Sequence, residues 1–70
     1  MKQKVVKGIC DAYLIREAVD GVTGQTFCEV YSTVKGNDDV IYEDGDWLCD
    51  IDTPFDATDA EILDEIDANL

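Results

Sequence analysis

The chain has 70 residues, of which 17 are acidic, five are basic and none is histidine, for a formal net charge of −12. Its 46% hydrophobic content excludes a low-complexity tail and supports one small domain over residues 1–70, without a second core. No apolar run approaches the roughly 18 residues of a membrane span, and no signal-peptide core follows the basic residues 1–7. We therefore expect a cytoplasmic protein that binds neither membrane nor nucleic acid directly, because its charge repels phosphates.

The charge is distributed unevenly along the chain. Residues 1–36 contain all five basic side chains and have a net charge of +1, whereas residues 37–70 contain 13 acids and no Lys or Arg. One interpretation is solubility, since acidic surfaces keep proteins soluble. The other is an acidic surface made to meet a basic partner. The complete lack of Lys and Arg favours the second, because solubility alone is compatible with mixed charges.

The segment from Val5 to Val19 can be read as strand or helix. As a helix its charges would scatter around the whole circumference and leave no apolar stripe, so we predict a strand over residues 9–19. Turn residues follow at 20–24. Regular alternation from Thr26 to Val34, with many β-branched and aromatic residues, predicts a second strand. The two strands form a hairpin with a loop of about six residues.

A second hairpin is predicted around Asp44-Gly45, with arms at residues 39–43 and 46–52. Asp-Gly between two apolar runs favours a type I′ turn, which needs positive φ at both central residues. In that register Tyr42 lies opposite Trp47, Ile41 opposite Leu48 and Val40 opposite Cys49. Packing and recognition both remain open as roles for Tyr42 and Trp47.

A helix is predicted from Asp59 to about Asn69. Pro54 ends the sheet, and Thr58 with Glu61 forms a capping box. At helical spacing the apolar residues share one arc and the acids occupy the other side. The apolar set is Ile62, Leu63, Ile66 and Leu70, and the acidic set is Glu61, Asp64, Glu65 and Asp67. The sequence thus predicts an α+β fold, with an antiparallel sheet of about four strands in two hairpins and one C-terminal amphipathic helix.

The sequence offers little for catalysis or for a metal or cofactor site. The cysteines at 10, 28 and 49 match no metal-ligand spacing, and without His they are expected to be reduced structural thiols. The acids do not follow the pattern of a calcium-binding loop. Ser32 is the only serine and there is no phosphate-binding glycine loop. We therefore expect a non-enzymatic protein without a cofactor.

The acids could instead imitate a row of phosphates. Adjacent phosphates of a DNA strand lie about 6–7 Å apart, acids at i, i+3 and i+4 of a helix about 5–6 Å apart, and acids at i and i+2 of a strand about 6–7 Å apart. One candidate row follows the helix and another the predicted second hairpin. The candidate partner-binding residues are Asp44, Asp46, Trp47, Asp50, Asp52, Asp56, Asp59, Glu61, Asp64, Glu65 and Asp67.

A short, single-domain, strongly acidic chain without catalytic residues resembles the small phage-encoded inhibitors of host defence or DNA-binding proteins. These include DNA-mimic anti-restriction proteins, anti-CRISPR proteins and uracil-DNA glycosylase inhibitors, and the acids from Asp38 to Asp67 carry the resemblance. It implies an inhibitor of a basic nucleic-acid-binding protein of the host, active in the host cytoplasm as a monomer or small homo-oligomer. The alternative is a small acidic regulatory or adaptor module that binds a protein partner without DNA mimicry.

Overall fold

The computed structural model describes residues 2–9, 11–35, 41–42 and 45–70. The elements of this part are β1 (Gln3–Lys7), β2 (Ala12–Val19), β3 (Thr26–Ser32), β4 (Val34–Lys35), β5 (Ile41–Tyr42), β6 (Trp47–Ile51) and α1 (Asp59–Asn69). Four strands form one antiparallel sheet in the order β1-β2-β3-β6, and the two short strands β4 and β5 form a separate pair. This confirms the predicted α+β class.

The first two strands divide the segment that the sequence left ambiguous. β1 pairs with β2, with Val6 opposite Tyr13. Between them the chain reverses tightly, and the Gly8 N–H donates to the Asp11 carbonyl at 2.7 Å. The prediction of strand was correct for residues 12–19, but it missed β1 and extended into the turn. Gly8 was the only local turn signal, and it was too weak to show a strand before it.

The hairpin between β2 and β3 was predicted with the right loop length. The loop runs over residues 20–25, and the Asp20 N–H donates to the Gln25 carbonyl at 2.8 Å. The Asp20 carboxylate accepts from the backbone N–H groups of Val22 and Thr23, at 2.8 and 3.2 Å. These two bonds lower the pKa of Asp20. Gly24 has a φ of +74°, a conformation that glycine adopts without steric cost.

The second predicted hairpin is wrong in its pairing. Tyr42 lies opposite Val34, and Ile41 opposite Lys35. β6 pairs instead with β3, which offers a longer partner strand. Two residues of the predicted hairpin lie outside the described residues. They are Val40, the predicted partner of Cys49, and the turn residue Asp44.

Gly45 is required by a close approach of two backbones. A Cβ atom at Gly45 would clash with the Ser32 carbonyl of β3. Next to it, Ser32 N–H donates to the Asp46 carbonyl, and the Asp46 N–H donates to Ser32 Oγ, each at 2.8 Å. The glycine that suggested a type I′ turn therefore allows β6 to dock on β3.

The core lies between one face of the four-stranded sheet and α1. Helix α1 packs on β1 and β6, the two outer strands. Its cap was predicted correctly, since the Thr58 side chain accepts from the Glu61 N–H. Ile62 and Ile66 are fully buried, and Leu63 is partly buried against them, whereas Leu70 is exposed at the C-cap. The buried cluster comprises Val6, Ile15, Cys28, Val30, Cys49, Ile51, Ile62 and Ile66.

Candidate partner-binding surfaces

The outer side of α1 carries a row of exposed carboxylates, as the sequence predicted. We call Glu61, Asp64, Glu65 and Asp67 the helix acidic surface; all four are exposed. Thr58 sets the start of the row, because its hydroxyl accepts from the Glu61 N–H at 3.3 Å and donates to Glu61 Oε1 at 3.1 Å. Asp56 and Asp59 are also exposed and precede it along the chain.

The helix acidic surface is electrostatically unfavourable for the helix that carries it. Three pairs of these acids are like-charged neighbours at i,i+3 or i,i+4, and each pair destabilises the helix by about 0.2–0.5 kcal/mol. The pairs are Glu61 with Asp64, Glu61 with Glu65, and Asp64 with Asp67. No basic residue lies in the last turn, so nothing there compensates the negative end of the helix dipole. Glu61 suits the first turn through the dipole and the capping box, but folding gains nothing from the charges of Asp64, Glu65 and Asp67.

The field of these acids reaches the sheet beneath. The pKa of Tyr13 on β2 is raised by burial first, and then by the carboxylates of Asp11 and Asp67. Asp67 is thus close enough for its charge to act on a phenol of the sheet.

We call the face of the sheet opposite α1 the open face. It carries a row of apolar side chains. Strand register places Val5 beside Leu14, Leu14 beside Tyr31 and Tyr31 beside Trp47. Leu14 is only 3% exposed although it lies outside the core cluster, whereas Trp47 at the end of the row is 57% exposed. The neighbouring row consists of polar side chains, namely Gln3, Arg16, Glu29 and Asp50.

A β-bulge puts Trp47 on the open face. The register between β3 and β6 shifts between Val30 and Tyr31, so Trp47 does not follow Cys49 and Ile51 into the core. Its indole Nε1–H donates to Asp50 Oδ1 at 2.9 Å. Simple alternation along β6 could not reveal this exchange of faces, since a bulge re-aims side chains.

Tyr31 stacks against a cation beside Trp47. The Arg16 guanidinium lies 5.0 Å from the centroid of the Tyr31 ring, and the Tyr31 hydroxyl donates to Glu29 Oε1 at 3.2 Å. The pKa of Tyr31 is raised by burial first and then by Glu29. The open face thus already holds one guanidinium over an aromatic ring whose hydroxyl bonds to a carboxylate. Sequence reasoning missed Arg16 and Tyr31, although the alternation of β3 does put Tyr31 on one side with Phe27.

Asp50 and Asp52 border a groove at the β6 edge of the sheet. Its volume is about 230 Å³, below the roughly 300–1,000 Å³ of ordinary small-molecule sites. Its size therefore does not indicate a small-molecule site. The groove is lined by Asp20, Gln25, Thr26, Phe27, Asp50 and Asp52.

The structure separates the predicted binding residues into two sets. Asp50, Asp52 and Trp47 lie at the β6 edge, and Asp46 is exposed just before that strand. Asp44 lies outside the described residues. The remaining six belong to α1 and the segment leading into it, and the helix acidic surface lies across the sheet from Trp47. The set across the sheet from Trp47 comprises Asp56, Asp59, Glu61, Asp64, Glu65 and Asp67.

Two of the thiols are packed in the core. Cys28 and Cys49 are buried and free, and Cys28 Sγ lies 3.2 Å from the Thr53 carbonyl. Burial is the largest cause of a raised pKa at both thiols, so both favour the unreactive protonated form. Cys10 lies outside the described residues. In the part of the chain that the structure describes, no group of three His, Cys, Asp or Glu residues is placed to hold a metal ion.

No protein-family model, curated protein or solved structure matches this chain. Within the described ranges, α1 is too short and too polar to cross a membrane.

Proposed function

We propose that this protein is a non-enzymatic inhibitor that occupies the nucleic-acid site of a basic protein by presenting carboxylates in place of phosphates. The observation that carries the proposal is the helix acidic surface, with four exposed acids on one short helix and no basic residue in the last turn. The like-charged pairs destabilise α1, and binding to a cationic groove would relieve them.

The spacing of these acids supports mimicry of a nucleic-acid backbone. Acids three and four residues apart on a helix have Cβ atoms about 5–6 Å apart, close to the separation of about 6–7 Å between adjacent phosphates. Residues 61, 64 and 67 continue this spacing along one side of α1. The row is thus a short rigid strip of negative charge.

The overall charge density points in the same direction. The longest dimension of the molecule is 40 Å and its net charge is −12, so there is one net charge per about 3.3 Å of length. A single strand of duplex DNA carries one charge per about 3.4 Å. A groove that neutralises DNA could therefore meet a similar charge here, and long-range attraction would accelerate association.

The role of the helix acidic surface can be tested by charge-matched variants. Immobilised protein captures its basic partner from host lysate, and the Kd of the purified partner is then measured for Asp64→Asn and Asp11→Asn. Both residues are exposed and both changes remove one charge, but only Asp64 belongs to the helix acidic surface. We expect Asp64→Asn to weaken binding by about two- to fivefold, as for the loss of a favourable charge pair of 0.5–1 kcal/mol, and Asp11→Asn to change it little.

Equal effects of the two variants would mean that only net charge matters, and no effect of either would remove the helix from the interface. The second candidate function, an adaptor that binds without mimicry, is favoured by the half-exposed Trp47, because an aromatic surface has no counterpart in a phosphate backbone. The two functions differ in whether DNA competes for the partner.

A further inference from the structure

We propose that the open face is a second contact surface, which takes an arginine side chain of the same basic partner onto Trp47 beside Asp50. The inference rests on the proposed function for the presence of a basic partner. It adds a site on the opposite side of the sheet from the helix acidic surface, with a different chemistry.

Trp47 is held in an orientation that suits a cation. The residue is 57% exposed, and the bond from Nε1–H to Asp50 Oδ1 at 2.9 Å holds the indole next to a carboxylate. Tryptophan offers the strongest aromatic face for a cation. A guanidinium stacked on this ring would have the Asp50 carboxylate beside it, and the indole occupies only one of the two oxygens.

The neighbouring strand β3 contains a similar arrangement within the chain. Arg16 lies over the ring of Tyr31 at 5.0 Å, and the Tyr31 hydroxyl bonds to Glu29. Strand register puts Tyr31 directly beside Trp47, and Glu29 beside Asp50. The aromatic–carboxylate pair of β3 is therefore repeated on β6, where Trp47 and Asp50 are exposed.

Charge complementarity decides the class of occupant. Asp50 and Asp52 border the adjacent groove, and residues 37–70 contain no cation. A second copy of this chain would bring another net charge of −12 against these acids, which is unfavourable. Arginine fits better than lysine, because a planar guanidinium stacks on an aromatic ring while it donates to a carboxylate.

The test uses the fact that Trp47 is the only tryptophan. The full chain is titrated with a capped Gly-Arg-Gly-Arg-Gly peptide and with the same peptide containing Lys, and the Trp47 fluorescence and indole N–H resonance are followed. We expect the arginine peptide to shift both signals and to bind more tightly than the lysine peptide. Changes confined to α1, or equal affinity of the two peptides, would overturn the proposal.

Variants locate the contact. Trp47→Leu should weaken arginine-peptide binding by about two- to fivefold, the factor that corresponds to an exposed cation–π contact, whereas Trp47→Phe should retain part of it. Asp50→Asn keeps an acceptor for the indole but loses the charge, and should weaken binding, whereas Asp11→Asn, which removes one exposed charge elsewhere, should not. For the non-fluorescent variants, binding is followed by backbone amide shifts. Unchanged binding by Trp47→Leu would contradict the proposal, as would a Trp47-dependent dimer at the concentrations used.

The same variants separate this inference from the proposed function. If Asp64→Asn weakens partner binding but Trp47→Leu and Asp50→Asn do not, mimicry by the helix stands and the open-face contact fails. If Trp47→Leu weakens partner binding but Asp64→Asn does not and DNA fails to compete, the open face binds the partner and mimicry fails.

Discussion

At the scale of single residues, Gly45 has the least room for a side chain among the glycines that the structure describes. An added Cβ would meet the Ser32 carbonyl, which belongs to the backbone of β3 and cannot move alone. We expect Gly45→Ala to lower the free energy of unfolding by about 1–3 kcal/mol, as for other overpacked sites. Gly21→Ala is the control, because nothing lies within 4 Å of its added Cβ. Urea denaturation of the two variants measures the difference, and equal stability would show that β6 does not dock on β3 as described.

The buried thiols should affect stability and leave binding unchanged. Cys28→Ala and Cys49→Ala each leave a small cavity, for which we expect a loss of about 1–2 kcal/mol. Because burial raises the pKa of both thiols, a thiol reagent at neutral pH should label them only after unfolding. Site-resolved mass spectrometry with and without denaturant checks this. Rapid labelling of Cys28 in the folded protein would mean that the core around β3 opens readily.

At the scale of elements, α1 should separate stability from binding. Replacing the four acids of the helix acidic surface by Asn or Gln relieves three like-charged pairs, so the free energy of unfolding should hold or rise by up to about 1 kcal/mol. A glutamine in place of Glu61 can still serve in the capping box. Affinity for the partner should fall by about tenfold or more if the row contributes at least about 1.4 kcal/mol.

Ile66→Asp is the opposite case. Ile66 is fully buried, so an aspartate there would place an unpaired charge against the sheet and should unfold the helix. Loss of binding by this variant should accompany a loss of helical circular dichroism. If the neutralised helix binds the partner as well as the original chain, the contact surface lies elsewhere.

The elements that could be predicted from the sequence are those defined by local signals. The capping box of Thr58 and the 3.6-residue period define α1, and alternation with turn residues defines the β2–β3 hairpin. The pairing of β6 with β3 is long-range in sequence, and nothing local distinguishes it from the tempting Asp-Gly hairpin. β1 is short and carries Lys4 and Lys7 at an edge of the sheet, where charged residues are common and strand patterns are weak.

The candidate site shows the same division. The exposure of the helix acidic surface follows directly from helical periodicity. The open face depends on a bulge between β3 and β6, which moves Trp47 to the opposite side from Cys49. A shift of one residue in register exchanges the faces of a strand, so the neighbours of Trp47 could not be derived from the pattern of β6.

At the scale of the whole molecule, the uneven charge of the sequence becomes an uneven charge in space. β1, with Lys4 and Lys7, forms one edge of the sheet, and β6, which contains Asp50 and is flanked by Asp46 and Asp52, forms the other. Lys4 is partly buried, donating to the Phe55 carbonyl at 2.7 Å with its ammonium 4.8 Å from the ring centroid. Residues 37–70 have a net charge of −13 and no basic side chain of their own.

Salt should therefore act in opposite directions on folding and on binding. Between 50 and 500 mM NaCl the repulsion among exposed carboxylates is screened, so the melting temperature should rise. Attraction to the basic partner is screened by the same ions, so the Kd should increase steeply. Calorimetry and binding measurements over one salt series check both. An affinity independent of salt would exclude electrostatic mimicry as the main source of binding.

The most direct measurement is displacement of this protein from its purified partner by a short duplex DNA of random sequence, at constant ionic strength. If carboxylates occupy the site of phosphates, DNA should release the protein completely, and the apparent Kd should rise in proportion to DNA concentration, as for two ligands of one site. A ternary complex of partner, DNA and this protein at saturating DNA would contradict the account, because it would place this protein outside the nucleic-acid site.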